Sequence, residues 1–322
     1  MKVRAIYLFL ICLSAGSVLS GQETNYGPGG NTLLFYNPGY SGVSEEGTLR
    51  MSYLNFYPGH SYNFQTFLVS YDSYIPAIHG GAGIFISNDH LGGIVNDLRG
   101  GLSYSYLFQA GEDLYISAGL SASVFSRGFD FGKAVLPDQI DAMGFITLPT
   151  AESLVNNTKS ALDVATGVVV MAGKWFGGFS VSHLAQPDIS NSGTSADRLK
   201  RKFLLNAAGD YGFGKMDKFR FRPVGAIEVQ GRYLSFCEGA VVETPVISFN
   251  SAFFETSSKT IDMQAGFSVR QGKFAFFYNY KFNLKSGSPL LPFSLVHQAG
   301  LNVALTNVEK RIKAQTIKVP QL

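Results

Sequence analysis

The sequence predicts an all-β fold: a transmembrane antiparallel up-and-down β-barrel of about 14 strands in an outer membrane. Three observations carry this. The first is composition. Charged residues are 15% of the chain, against roughly 25% in soluble domains. Gly (36), Phe (27) and Tyr (16) are abundant. Yet beyond the first twenty or so residues no run approaches the ~18–20 apolar residues of a spanning helix. The second is a hydrophobic period of two nearly everywhere, which gives a strand one apolar and one polar face. The third is an alternation of short and long connections. A soluble β-sandwich or barrel competes on the first two counts and gives no reason for the third.

Residues 1–21 read as a secretory leader. Lys2 and Arg4 make a basic start, residues 5–19 are apolar, and Val18 and Ser20 precede a cut near Gly21 or Gln22. Cys12 lies behind Ile11, whereas a lipoprotein cysteine wants a small residue before it. Without the leader, 24 basic residues face 23 acidic ones. That balance selects neither nucleic acid nor an acidic partner. Only Cys237 is left, so no internal disulfide forms. Residues 22–46 are expected to face the periplasm or to fold back into the lumen.

The barrel is expected over residues 47–306. Its segments are 47–56, 63–74, 80–88, 95–109, 112–127, 161–172, 175–184, 202–213, 218–230, 232–243, 246–255, 260–270, 273–284 and 295–306. In the twelfth, Ile261, Met263, Ala265, Phe267 and Val269 alternate with Gln264, Ser268 and Arg270. After Gln271-Gly272 the series resumes at Phe274, Phe276, Tyr278, Tyr280, Phe282 and Leu284. An even strand count suits a single-chain bacterial barrel. The even-numbered connections are short ("IPAI", "AG", "GK", "GKMD", "TP", "QG"). Most odd-numbered ones are longer, with about 32 residues from Phe129 to Ser160 and about 16 from Ala185 to Lys200; those near Gly231 and at "TSSK" break the trend. Periplasmic turns and extracellular loops produce this parity, and both termini then lie in the periplasm. Residues 307–322 form a basic periplasmic tail, either a disordered end or a docking peptide.

Candidate chemistry is sparse. "NDHLGG" (88–93) reads as a turn, because Asn and Asp tolerate left-handed backbone and Gly supplies it freely. A calcium site there would need six or more oxygens. His60, His79, His90, His183 and His297 show no zinc spacing. No nucleophile elbow, phosphate loop or dinucleotide fingerprint occurs. Ser180, Ser182 and His183 lie close together, but strand alternation sets both serines on the face opposite His183, which disfavours a barrel-wall hydrolase. No cofactor or metal is expected. "RLKRK" (198–202) reads as a solvated outer rim, or as a contact with lipopolysaccharide phosphates or an acidic partner. The Phe129–Ser160 loop is too long for mere closure. It carries Asp130, Asp138, Asp141 and Glu152 among Phe131, Ile140, Met143, Phe145 and Ile146, and reads as a binding lid or a lumen plug.

Several motifs together resemble the PorP/SprF family. They are "FYNPGYSGV" (35–43), "VSYDSYIP" (69–76) followed by "GGAGIFISNDHLGG" (80–93), "FSVSHLAQPD" (179–188) and "KFLLNAAGDYGF" (202–213). They span essentially the whole mature chain in order. The resemblance implies an outer-membrane protein of the type IX secretion system of Bacteroidetes, again a fourteen-stranded barrel, with no catalytic residues to carry over. It implies export or surface attachment of large, often adhesin-like proteins through a C-terminal targeting domain, and contact with other secretion components. The extension after Leu305 departs from the family pattern. Partner-binding candidates are Asn37, Pro38 and Tyr40 in the "NPGYSG" segment, and Asp130, Phe131, Asp138, Asp141 and Phe145 in the long loop. The alternative function is a passive or substrate-specific channel, porin-like or FadL-like. Inward faces rich in Gly, Ser, Tyr and Asn suit either a plugged lumen or a protein-binding interior.

Overall fold

The computed structural model describes residues 32–44, 47–58, 63–141, 143–147, 149–150, 157–190, 198–214, 218–286 and 295–305. The expected leader, residues 22–31, His60, Glu152 and the tail lie outside them. No helix among the described residues is long and apolar enough to cross a membrane.

The wall comprises β1 (Gly47–Phe56), β2 (Phe64–Ile75), β3 (Gly80–Leu91), β4 (Val95–Gln109), β5 (Leu114–Phe129), β6 (Asn157–Ala172), β7 (Trp175–Ser182), β8 (Lys202–Gly209) and β9 (Tyr211–Phe213). It continues with β10 (Phe219–Gln230), β11 (Tyr233–Glu243), β12 (Ile247–Thr256), β13 (Ile261–Gln271), β14 (Phe274–Lys285) and β15 (Leu295–Leu305). Every neighbouring pair is antiparallel, and β15 pairs with β1 from Gly47↔Leu305 to Phe56↔Val296, which closes the sheet. β8 and β9 both pair with β10 and form one stave. The barrel therefore has fourteen staves. Pairing of the first and last strands removes the two terminal edges of the sheet, which is what lets a sheet cross a bilayer.

Period-two alternation sorts the side chains. Leu102 (64% exposed), Leu120 (60%) and Phe249 (63%) point outward, as do Leu98, Tyr104 and Tyr106. Asp97, Ser103 and Ser105 on the same strand are buried inward. Against water this would be inverted; against lipid tails it removes apolar surface from solvent.

Five expectations are corrected. β3 runs on to Leu91, so Asn88, Asp89 and His90 are strand residues. The turn is only residues 92–94, with Gly92 and Gly93 at φ +62° and +78°. Asp89 holds Thr66 of β2 across the pair, and that cross-strand bond extends the strand. β5 reaches Phe129 and β6 begins at Asn157, which shortens the long loop to residues 130–156. The eighth segment breaks at Asp210, whose carboxylate takes Arg220 at 2.6 Å and Arg222 at 3.3 Å. β7 stops at Ser182, and His183 adopts left-handed backbone at φ +58°. That twist defeats the alternation argument. Ser180, Ser182 and His183 are all buried on the inside. The basic run is also not one solvated rim. Arg198, Lys200 and Arg201 are exposed, while Leu199 and Lys202 are buried.

Candidate functional site

The lumen is filled from within by residues 32–43, all of them buried. A single helical turn, α1 (Leu33–Tyr36), stands across the barrel. Its four consecutive side chains reach different parts of the wall. Leu33 packs with Tyr115, Val169, Met171 and Phe176. Leu34 and Phe35 pack with Leu54, Leu68 and Phe85. Tyr36 packs with Leu204, Ala226, Cys237 and Phe254. Burying each such side chain contributes roughly 1.5–3 kcal/mol. A turn with apolar groups all round is stable only where it is surrounded, as here.

The turn that follows is fixed through its backbone. Asn37 accepts from Gly39 N at 2.8 Å and donates to Val168 O and Phe179 O at 3.3 and 3.4 Å. Pro38 opens a 3₁₀ turn over Pro38–Tyr40, where its fixed φ suits the first position. Wall serines donate to plug carbonyls: Ser180 to Tyr36 O (2.6 Å), Ser117 to Gly39 O (2.7 Å) and Ser105 to Ser41 O (2.7 Å). Asn206 donates to the Tyr40 hydroxyl at 2.6 Å. Gly42 N donates to Asp72 at 2.8 Å, and Asp72 is held by Arg50. These bonds satisfy backbone groups that burial would otherwise leave costly.

The wall is shaped to receive this segment. A Cβ on Gly119 would intrude on the backbone of Pro38 and Gly39, one on Gly81 on Ser41, and one on Gly167 on the Asn37 side chain. On Gly178 it would lie 2.8 Å from Asn37 Nδ2. The small residues of the inner face are thus a moulded seat, which explains the Gly and Ser that alternate with lipid-facing residues.

Above Phe35 and Tyr36 lies a polar chamber walled in part by Asp97, Arg99, Ser182, His183 and Lys202. Its charges are paired. Arg127 forks onto Asp97 at 2.6 and 2.7 Å. Asp163 takes His183 Nδ1 at 2.7 Å and lies 3.6 Å from Arg99. Lys202 lies 3.7 Å from Glu228 and 5.2 Å from the Tyr36 ring centroid. Ser180, expected opposite His183, is inside with it, and its hydroxyl is given to the plug. The chamber roof includes Ile189 and Leu199 of the β7–β8 connection, packed on Phe125. Lys159 fixes that connection through Asp188 at 2.6 Å. Sequence reading missed this inward fold; Ile189 and Leu199 in an otherwise polar loop were the available signal.

The second group of candidates sits at the opposite address, on the outer rim. β5 and β6 stay paired up to Phe129↔Asn157, whereas β7 follows β6 only to Thr166↔Val181. The loop therefore stands on a tall hairpin. Its described acids, Asp130, Asp138 and Asp141, fold it rather than face solvent empty. Asp130 accepts from Gly132 N at 3.0 Å and Asp138 from the Thr150 hydroxyl at 3.0 Å. Asp141 accepts from Met143 N and Phe145 N, both at 2.9 Å, and from Thr147 at 3.1 Å. These donors, Phe145 N–H foremost, hold its carboxyl below the usual range. Phe131 stacks on Phe129 at 5.9 Å. Beside the exposed Asp138 and Thr147, three apolar side chains face water: Met143 (84% exposed), Phe145 (64%) and Ile146 (61%). The structure thus gathers Asn37, Pro38 and Tyr40 in the lumen and Asp130, Phe131, Asp138, Asp141 and Phe145 outside, without joining the two groups. Among the described residues no cluster of side chains suits a metal ion.

A family model described as type IX secretion system membrane protein PorP/SprF matches residues 30–285. Among solved structures, the Ralstonia pickettii toluene transporter TbuX aligns over 89% of this chain and 96% of its own, at 11% identity and TM-score 0.50. The Pseudomonas putida toluene transporter TodX aligns over 85% and 93%, at 10% identity and TM-score 0.46. Acinetobacter baumannii Omp33 aligns over 82% and 100%, at 8% identity and TM-score 0.42. At such identity the likeness to TbuX speaks for the fold alone. No curated protein matches the chain. The closed barrel and its apolar outward belt place the protein in the outer membrane. With the match running from ahead of the plug to the end of β14, the chain belongs to the PorP/SprF family of type IX secretion system membrane proteins.

Proposed function

We propose that this barrel is a closed, non-enzymatic component of type IX secretion that supports export or surface anchoring of an adhesin-like cargo, held through the cargo's C-terminal targeting domain. The observation that carries the reading is the outer loop. Its described acids, Asp130, Asp138 and Asp141, are spent on its own fold, and Met143, Phe145 and Ile146 are turned to water. Exposed apolar groups on an ordered support mark protein contact sites. In this reading Phe145 touches cargo, Asp130, Phe131, Asp138 and Asp141 hold the loop, and Asn37, Pro38 and Tyr40 hold the plug. Lipid, lipopolysaccharide and other secretion components are the remaining partners.

The test is a Met143→Asp, Phe145→Asp double variant, with cargo quantified on intact cells. Cargo retained at the surface should fall about tenfold, the effect of losing one strong contact, while the barrel keeps its heat-modifiable migration. Full retention on an assembled barrel would defeat the reading.

The second reading is a transport channel. It is favoured by the polar chamber above the plug, and it requires residues 32–43 to leave the lumen.

A further inference from the structure

The outward face of the wall is uncharged almost throughout. Glu238 is the exception. It is five positions from either end of β11, and so at mid-depth in the bilayer. Alternation buries Cys237 inside and turns Glu238 outward with Phe236 and Val242, 37% and 46% exposed. Among the described residues Glu238 has no hydrogen bond or ion pair. Away from the strand ends, no other described outward position carries a formal charge. Lipid tails cannot solvate a carboxylate, so an ionisable side chain there marks a site with a partner.

The surface on its β10 side is low, while Phe253 (43% exposed) flanks it on β12. Glu238 pairs across the ladder with Gly225, which pairs with Ala207. One step toward the periplasm the outward row is Pro223, Ala240, Ser251 and Ala265. A Cβ added to Gly225 would meet only Cys237 O, 3.8 Å away. The result is a shallow depression roughly 15–20 Å wide at about 4.8 Å per strand.

We propose that this face is a lateral interface in the membrane plane. Its occupant is a different membrane-spanning protein that presents a lysine or arginine to Glu238. Charge complementarity selects the occupant. Small residues permit the close backbone approach on which packing in lipid depends, and a cation at that depth neutralises the carboxylate. A second copy of this chain, seated about a two-fold axis, would oppose Glu238 to Glu238 without water, which disfavours self-association. The inference uses neither the loop nor the plug, so it stands or falls apart from the cargo reading.

The experiment places the photocrosslinker p-benzoylphenylalanine at Phe253, the outward neighbour of Glu238 on β12. Adducts formed in native outer membranes are then mapped by mass spectrometry. The expected adduct joins Phe253 to a spanning segment of another protein that contains a lysine or arginine. Its yield should fall about tenfold in Glu238→Leu, stay unchanged in Glu255→Gln, and return when Glu238→Lys is combined with reversal of the partner's cation. Glu238→Leu removes a charge from lipid, so assembly should be kept; Glu238→Gln gives the same readout if it is not. An adduct to a second copy, to lipid alone, or to a protein indifferent to Glu238→Leu would overturn the proposal.

Discussion

At the scale of single residues, the plug depends on what the wall lacks. Gly119→Val would press two methyl groups into the backbone of Pro38 and Gly39, an overpacking that costs about 1–3 kcal/mol. The barrel's hydrogen-bond ladder is untouched, so the cost falls on the plug. We expect Gly119→Val to assemble normally and to leak solute in a liposome-swelling assay where the parent protein does not. Asp141 gives a pH prediction. Its folded-state pKa is depressed, so its contribution to loop order is complete above the ordinary carboxylate value and is lost as pH falls through the depressed one. Hydrogen-exchange protection of the Met143 and Phe145 amides should be constant from neutral down to about pH 5 and fade only in stronger acid. In Asp141→Ala it should be low throughout. Neither role was legible in the sequence. A glycine in a strand reads as weak propensity until the opposing backbone is in view, and His183 reads as lying opposite Ser180 and Ser182 until its left-handed backbone is known.

At the scale of elements, the strands were legible because their alternation has a single cause, lipid on one side and a polar interior on the other. Their ends were not. Thr66 and Asp89 lengthen β3, and Asp210 with its two arginines splits the eighth stave; these are cross-strand contacts with no local signal. The plug segment stood out as Asn-Pro-Gly-Tyr. That α1 spends all four side chains on the wall required the fold. Deletion of residues 32–44 should therefore convert a sealed barrel into a conducting one. Planar-bilayer recording is the check: parent-like silence on a correctly assembled deletion variant would mean that something else closes the lumen.

At the scale of the whole molecule, a sealed wall, a seated plug and a raised outer loop argue for holding rather than passing a substrate. Family membership assigns the secretion system; the cargo role is the inference built on it. The most direct test is affinity purification of the barrel from gently solubilised outer membranes, parent against the Met143→Asp, Phe145→Asp variant, with mass spectrometry of what is retained. The account predicts a large secreted protein held through its C-terminal domain by the parent and lost from the variant. Recovery of no secreted cargo by the parent, together with solute-permeable reconstituted vesicles, would contradict it and make the barrel a channel.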